Sequence, residues 1–212
     1  MNFRRSSTIW ATLLFLCTGM ATALLASDED AFWEQIETEI QNTQAVRCSF
    51  TETRAHPLRK RPGYHTGTLR YDSDLGLSLD YSGLFSTVQI IDDQGLIRRT
   101  SEDSQRTIPM REEMLPFQQA LVAALSFDTE ALEEQFEVSR IRNDDGEDWR
   151  LNLIPREDLS DERLDRITLD GTGKKITKIV FDLGPQREVT FELSNHQFLE
   201  EFPPDEKKAY FR

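Results

Sequence analysis

Apolar side chains recur along this chain at two spacings, and each change of spacing marks an element. An apolar run, Ile9 to Cys17, carries Trp10, Leu13, Leu14, Phe15 and Leu16. Arg4 and Arg5 precede it, and Thr18, Gly19, Ala21, Thr22, Ala23 and Ala26 follow it. A basic start, an apolar stretch and then small residues predict a secretory signal peptide over residues 1–26. The run is shorter than the ~20 residues that span a bilayer. Leu16 also stands where a lipid anchor on Cys17 needs a small residue. Cleavage after Ala26 is preferred to cleavage after Ala23, because the acidic stretch Ser27-Asp28-Glu29-Asp30 follows at once.

A single exported domain, 27–212, is expected beyond that point. Phe32, Ile36 and Ile40 lie four apart and predict a helix over Asp30–Asn42, with Trp33 beside them. From Val46 the period is two: Val46, Cys48 and Phe50 face one way, and Arg47, Ser49 and Thr51 the other. Ala55 to His65 holds Pro57, Pro62, Gly63 and several basic residues, and reads as a solvent loop. Alternation returns with Leu69 and Tyr71, with Leu77, Leu79 and Tyr81, and with Val88 and Ile90. Asp92-Asp93-Gln94-Gly95 makes a turn before Leu96 to Arg99.

Met110 to Phe127 breaks the strand pattern. Met114, Leu115, Phe117, Leu121, Val122, Leu125 and Phe127 give a helix with a broad apolar side. Thr129 to Gln135 is a shorter helix, with Leu132 inward and Asp128 or Thr129 as cap. Strands follow at Phe136–Arg142, Trp149–Ile154, Arg163–Leu169, Ile176–Leu183 and Glu188–Ser194, with short turns between them. About ten strands and three helices in this order predict an antiparallel meander rather than βαβ units. A sheet of that size curls or is covered, and the helix Met110–Leu125 is the natural cover. If the enclosed space is filled, it is an ordinary core. If it is incompletely filled, it is a pocket for a lipid or acyl chain.

Charge and chemistry narrow the function by exclusion. There are 25 basic and 38 acidic residues, a net −13. Loss of the signal takes Arg4 and Arg5 but no acid and leaves −15. That balance argues against nucleic acid as a partner and against a protein that sits on anionic lipid headgroups. Cys48 alone remains after the signal is removed, so no internal disulfide is expected, and a small buried hydrophobe is its plain reading. His56, His65 and His196 lack zinc-ligand spacing. There is no Gly-x-Ser-x-Gly elbow and no Gly-rich phosphate loop. Asn143-Asp144-Asp145-Gly146 reads as a hairpin turn, not a calcium loop. No enzyme, metal or cofactor is expected.

The order of elements then resembles a known family. After the first helix come Phe50-Thr51-Glu52-Thr53, Gly67-Thr68-Leu69-Arg70-Tyr71, Asp80-Tyr81 and Ile90-Ile91-Asp92-Asp93-Gln94-Gly95. Beyond the helical insert stand Phe136-Glu137-Val138, Asp148-Trp149-Arg150-Leu151-Asn152-Leu153-Ile154-Pro155, Ile176-Thr177-Lys178-Ile179 and the close Phe198 to Pro204. This resembles the LolA-like family, periplasmic carriers of outer-membrane lipoproteins and their relatives, over nearly all of the exported chain. The resemblance implies an α+β fold, an unclosed and strongly curved antiparallel β-barrel with helices over its concave face. It implies a periplasmic, non-catalytic carrier of lipid or lipoprotein acyl chains between membrane-bound donor and acceptor proteins, and a monomer is expected. Leu69, Tyr71, Leu77, Leu79, Tyr81, Val88 and Ile90 would line the sheet side of the pocket, with Phe117, Leu121 and Leu125 on the lid. The family carrier latches its lid with an arginine in the segment after the Gly-x-Leu strand. Here that segment is Asp72-Ser73-Asp74-Leu75-Gly76, and Arg70 is close but out of place.

Overall fold

Each period-two stretch pairs with its neighbour in sequence, and one further pairing joins the two ends of the chain's course. In a computed structural model the described residues are 16–83, 87–101, 104–107, 115–143, 146–156 and 164–212, with side chains described for 28–83, 87–99, 121–143, 146–156 and 164–212. The strands are β1 (Ala45–Ala55), β2 (Gly63–Asp72), β3 (Gly76–Tyr81), β4 (Thr87–Asp92), β5 (Gly95–Ser101), β6 (Ser104–Thr107), β7 (Phe136–Arg142), β8 (Asp148–Pro155), β9 (Arg166–Thr172), β10 (Lys175–Asp182) and β11 (Glu188–Leu199). The helices are α1 (Leu16–Gln41), α2 (Leu115–Ser126), α3 (Thr129–Gln135) and α4 (Pro204–Tyr210).

The eleven strands form one antiparallel sheet in the order β6-β5-β4-β3-β2-β1-β11-β10-β9-β8-β7. The chain enters at the middle, steps out to β6, and returns through α2 and α3 to the opposite edge at β7. It then steps inward until β11 lies against β1. The sheet is not closed, since β6 and β7 are its two ends. The strand β6 and the helix α4 add to the elements expected from the sequence. The α4 signals were present: Pro204 at the first turn, Asp205 and Glu206 at the positive end, and Lys207 and Lys208 in the last turn.

The described residues divide into two compact units, with the boundary between Ile36 and Glu37. In the first, α1 begins at Leu16, earlier than the expected Asp30, and runs unbroken through Ala26. The first part of the expected signal peptide, residues 1–15, lies outside the described residues. The buried stripe of α1 is Trp33, Ile36 and Ile40, with Phe32 half-buried. This corrects the expected stripe by one position, because a 3.6-residue period alternates steps of three and four.

The rest concerns residues 37–212. Register assigns the strand residues to two faces. Cys48 pairs with Leu69 and Leu69 with Leu79, while Val46 pairs with Tyr71 and Tyr71 with Leu77. These share the front face. Arg70 pairs with Arg47 and Ser78, and lies on the back. Helices α2 and α3 pack on the front. Phe127, in the corner between them, meets Trp149 edge to face at 5.3 Å, and its carbonyl accepts from Gln41 Nε2 at 3.2 Å. Phe127 has φ of 53°, a left-handed value that glycine usually supplies at a helix end. Its burial holds it there. Asp128 caps α3 through a bond from Ala131 N at 3.1 Å, and Leu132 is fully buried. On the back lies α4, with Phe202 and Phe211 packed around Ala45.

Candidate apolar binding site

Among the described residues, the front face holds an apolar cavity of about 30 Å³ between β1, β2, β10, β11 and the ends of α1 and α2. Its floor is Val46, Cys48, Leu69 and Tyr71, and Ile40 and Leu125 come from the helices. Tyr71 shares a side-chain hydrogen bond with Ser126 of α2, and burial pushes its phenol above the ordinary value. Burial pushes the Cys48 thiol up to about 12.

The third wall comes from two bulges. Between β1 and β11, Arg47 pairs with Gln197 and Ser49 with Ser194, so Asn195 and His196 oppose the single residue Cys48. Asn195 absorbs the extra residue with φ of 56°, in the left-handed region that asparagine tolerates. The alternation shifts by one there, and Leu193, His196 and Phe198 all line the cavity. A second register shift lies between Ile176 and Lys178 in β10, and Ile176 also reaches the cavity. The ladder between β10 and β11 runs from Asp182 only to Lys178. Beyond it, His196 Nε2 bonds the Ile176 carbonyl oxygen at 2.8 Å across the seam. Burial holds the His196 imidazole below its ordinary value, against the opposing effect of that bond.

Thr43, Lys174 and Phe198 form the mouth. They line both the cavity and a wider polar cleft of about 490 Å³ that also contains Glu39, Asn42 and Glu200. Lys174 Nζ sits 4.2 Å from the centre of the Phe198 ring, a cation–π contact at the entrance. The site is thus greasy inside and charged at its lip.

Of the pocket residues expected from the sequence, Leu69, Tyr71 and Leu125 line this cavity. Leu77, Leu79 and Tyr81 lie on the same front face further along β3, and Leu121 is buried on α2. The side chain of Phe117 lies outside the described residues. Val88 and Ile90 belong elsewhere. Val88 pairs with Asp80 and Ile90 with Ser78, so both are on the back with Arg70. Leu77 and Leu79 instead pair with Ile91 and Gln89. A strand buried on both faces gives no alternation to read, and a one-residue error in phase exchanges the faces. Ile176, His196 and Phe198 were not anticipated, because bulges displace them from strict alternation. Leu193 keeps alternation with Phe191 and was missed because only the pairing of β11 with β1 brings it to the cavity. Among the described residues, no group of three or more His, Cys, Asp or Glu could hold a metal ion.

Residues 25–185 match the family described as outer membrane lipoprotein carrier protein LolA-like. The chain belongs to the LolA-like family. Solved structures similar to this LolA-like chain include a LolA superfamily protein from Nitrosomonas europaea, 9% identical, covering 84% of this chain and 96% of that one with a TM-score of 0.43. Another is LprF from Mycobacterium bovis, 10% identical, covering 84% of this chain and 96% of that one with a TM-score of 0.36. A comparison with curated proteins returns no match. Among the described residues, no helix is long and apolar enough to cross a membrane.

Proposed function

We propose that this LolA-like protein is an exported, periplasmic carrier. It takes the acyl chains of lipoproteins or other lipids into the front-face cavity and passes them between membrane-bound donor and acceptor proteins. The cleaved signal peptide over residues 1–26 is part of this proposal. The observation that carries it is the cavity's composition. Nine of its twelve lining residues are apolar, and the three polar ones, Thr43, Lys174 and His196, include two at the mouth. Binding of this kind makes and breaks no covalent bond, so the proposed role is not catalytic.

Size sets the condition for loading. A volume of about 30 Å³ holds roughly one or two waters, far less than an acyl tail. On this reading the chain described is the closed form. Loading requires α2 to lift from the front face or the β10–β11 seam to widen. Transfer of a tail contributes ~0.8 kcal/mol per buried CH₂, so a tail of about sixteen carbons yields on the order of 12 kcal/mol before opening costs are subtracted. Separating Leu125 and the Tyr71–Ser126 bond from the sheet is a cost within that range.

The same small volume favours a second reading, a non-catalytic interaction protein whose front face is simply a filled core. A fluorescent acyl probe decides between them. The carrier reading expects a bound probe that unlabelled lipid displaces, and a lipid retained in native mass spectrometry of protein taken from the periplasm. A protein that binds neither, even where mild denaturant loosens α2, is the interaction protein. Leu125→Asp is expected to reduce probe binding at least tenfold, since it sets a charge in the apolar wall.

A further inference from the structure

At the end of β1 remote from the cavity, the local charge is the reverse of the chain's. Residues 54–65, Arg-Ala-His-Pro-Leu-Arg-Lys-Arg-Pro-Gly-Tyr-His, contain four Arg or Lys, two His and no acid, in a chain of net −13. The loop from β1 to β2 has a defined tip. Arg59 N donates to the His56 carbonyl at 2.9 Å, with Pro57 and Leu58 between them, and Leu58 N donates to His56 Nδ1 at 3.2 Å. A turn with proline in its second position sets its third residue at the apex, and Leu58 there is 88% exposed. Tyr64, on the returning strand, is 67% exposed. Beside the tip is a cleft of about 640 Å³ whose lining includes Arg54, His56, Arg59, His65 and Arg187. Arg54 is paired with Glu52 at 2.5 Å, and Arg187 Nη2 donates to the Leu183 carbonyl at 2.6 Å. Among the described residues, Arg59, Lys60 and Arg61 make no ion pair.

We propose that this loop and cleft are a docking site for an anionic phospholipid surface. Leu58 enters the headgroup layer, and Arg59, Lys60, Arg61 and the cleft arginine Arg187 meet the phosphates. The net charge that argues against such contact is an average over the whole surface. A bilayer reads only what lies within about a Debye length, ~8 Å at physiological salt. Each Lys or Arg within that distance strengthens binding about fivefold. An acidic protein face would satisfy the charges but would need a pocket shaped for Leu58. A bilayer offers charge outside and apolar depth beneath it to any loop with a greasy apex.

The test is sedimentation of the protein, recovered after export, with lipid vesicles. Wild type is expected to sediment with phosphatidylglycerol-containing vesicles, not with phosphatidylcholine alone, and to be released by high salt. The triple variant Arg59→Glu, Lys60→Glu, Arg61→Glu is expected to weaken binding more than about hundredfold. Leu58→Asp is expected to weaken it about tenfold with the basic residues intact. All four positions are exposed, so the variants should fold, and circular dichroism verifies this. The proposal is overturned by equal binding to both vesicle types, by undiminished binding of the triple variant, or by undiminished binding of Leu58→Asp, which would leave a purely electrostatic site. It is independent of the acyl-chain reading. Loop variants should still bind the acyl probe, and a wild type that binds vesicles but no probe would overturn only the carrier proposal.

Discussion

Arg70 Nε donates to Glu206 Oε1 at 2.7 Å, tying the middle of the sheet to α4 on the face opposite the cavity. Arg47 Nε reaches the same oxygen at 3.1 Å and Arg47 Nη2 pairs with Oε2. The Arg70 guanidinium also lies 3.5 Å from the centre of the Tyr210 ring. This geometry answers a question the sequence raised. Arg70 lies on the face opposite α2, and it holds the C-terminal helix.

Removing one partner leaves buried charge behind. Glu206→Gln is expected to destabilise the protein by about 2–3 kcal/mol, and Arg70→Ala by at least as much, since it also loses the contact with Tyr210. Urea denaturation checks both. Acyl-probe affinity should be unchanged, because the cluster is on the back face. Burial pushes the Glu206 carboxyl up, but the bonds from Arg70 and Arg47 outweigh this and hold it below the ordinary range. Its contribution is therefore full above the unfolded value of about 4.3. It is lost as pH falls through the lower folded value, and the Glu206→Gln variant should not show that part of the acid loss.

A second pH dependence belongs to the cavity. The folded His196 imidazole is held below its ordinary value, chiefly by burial, with Lys175 adding to the effect. The unfolded chain then binds the proton more readily, so stability is full above about pH 6.5 and falls as pH drops towards the folded value. The charged ring would also lie in an apolar wall, beside the gap where the β10–β11 ladder stops. His196→Gln is expected to flatten the stability profile between about pH 6.5 and 5, above the range in which most carboxylates titrate. Thermal melts of both proteins across that window are the check. Equal slopes would separate His196 from the effect.

Much of the fold was legible because most strands bury one face and turn at Gly, Asp or Asn. Leu69, Tyr71, Leu77 and Leu79 keep strict alternation, and all four lie on the front face. Leu132 was legible for similar local reasons, and its cap as Asp128 or Thr129, of which the fold uses Asp128. What escaped was non-local or irregular. Val88 and Ile90 sit in a strand with buried residues on both sides, Ile90 and Ile91 together, so phase carried no information. The cavity's third wall depends on Asn195, whose left-handed backbone is not announced by its sequence neighbours. The charged C-terminal end concealed α4, although its proline, acidic start and basic finish are helix signals. Its role shows only when Phe202 and Phe211 meet Ala45, far away in sequence.

Gly171 is fixed by its neighbour across the strand. A Cβ there would stand 2.1 Å from Cζ2 of Trp149, whose Nε1 donates to the Gly173 carbonyl at 2.8 Å. The indole lies flat over a position that must have no side chain. Gly171→Ala is expected to push the ring aside, breaking that bond and disturbing the contact with Phe127. The expected cost is about 2–4 kcal/mol, from overpacking plus the orphaned indole donor. A red shift in tryptophan emission should accompany the lower melting temperature. An alanine variant with unchanged emission and stability would show that the Trp149 ring is not seated on this glycine.

Cys48 reports directly on whether the front face opens. It lines the cavity, it is buried, and burial pushes its thiol up to about 12. Because the thiolate is the reacting species, a soluble disulfide reagent should modify the closed protein at neutral pH at least a hundredfold more slowly than the urea-unfolded chain. The slow rate then measures opening, because reaction waits on separation of α2 from β1 and β2. Leu125→Ala removes a wall contact from α2 and is expected to speed modification several-fold, by weakening the closed state through lost burial. A bound acyl chain occupies the same space and should protect Cys48, with half-protection at the concentration that half-saturates the fluorescent probe. Modification that is fast in the folded wild type would mean the cavity stands open at rest. Modification that is slow but indifferent to both Leu125→Ala and lipid would mean that the front face never opens to a ligand, and the carrier proposal would fall.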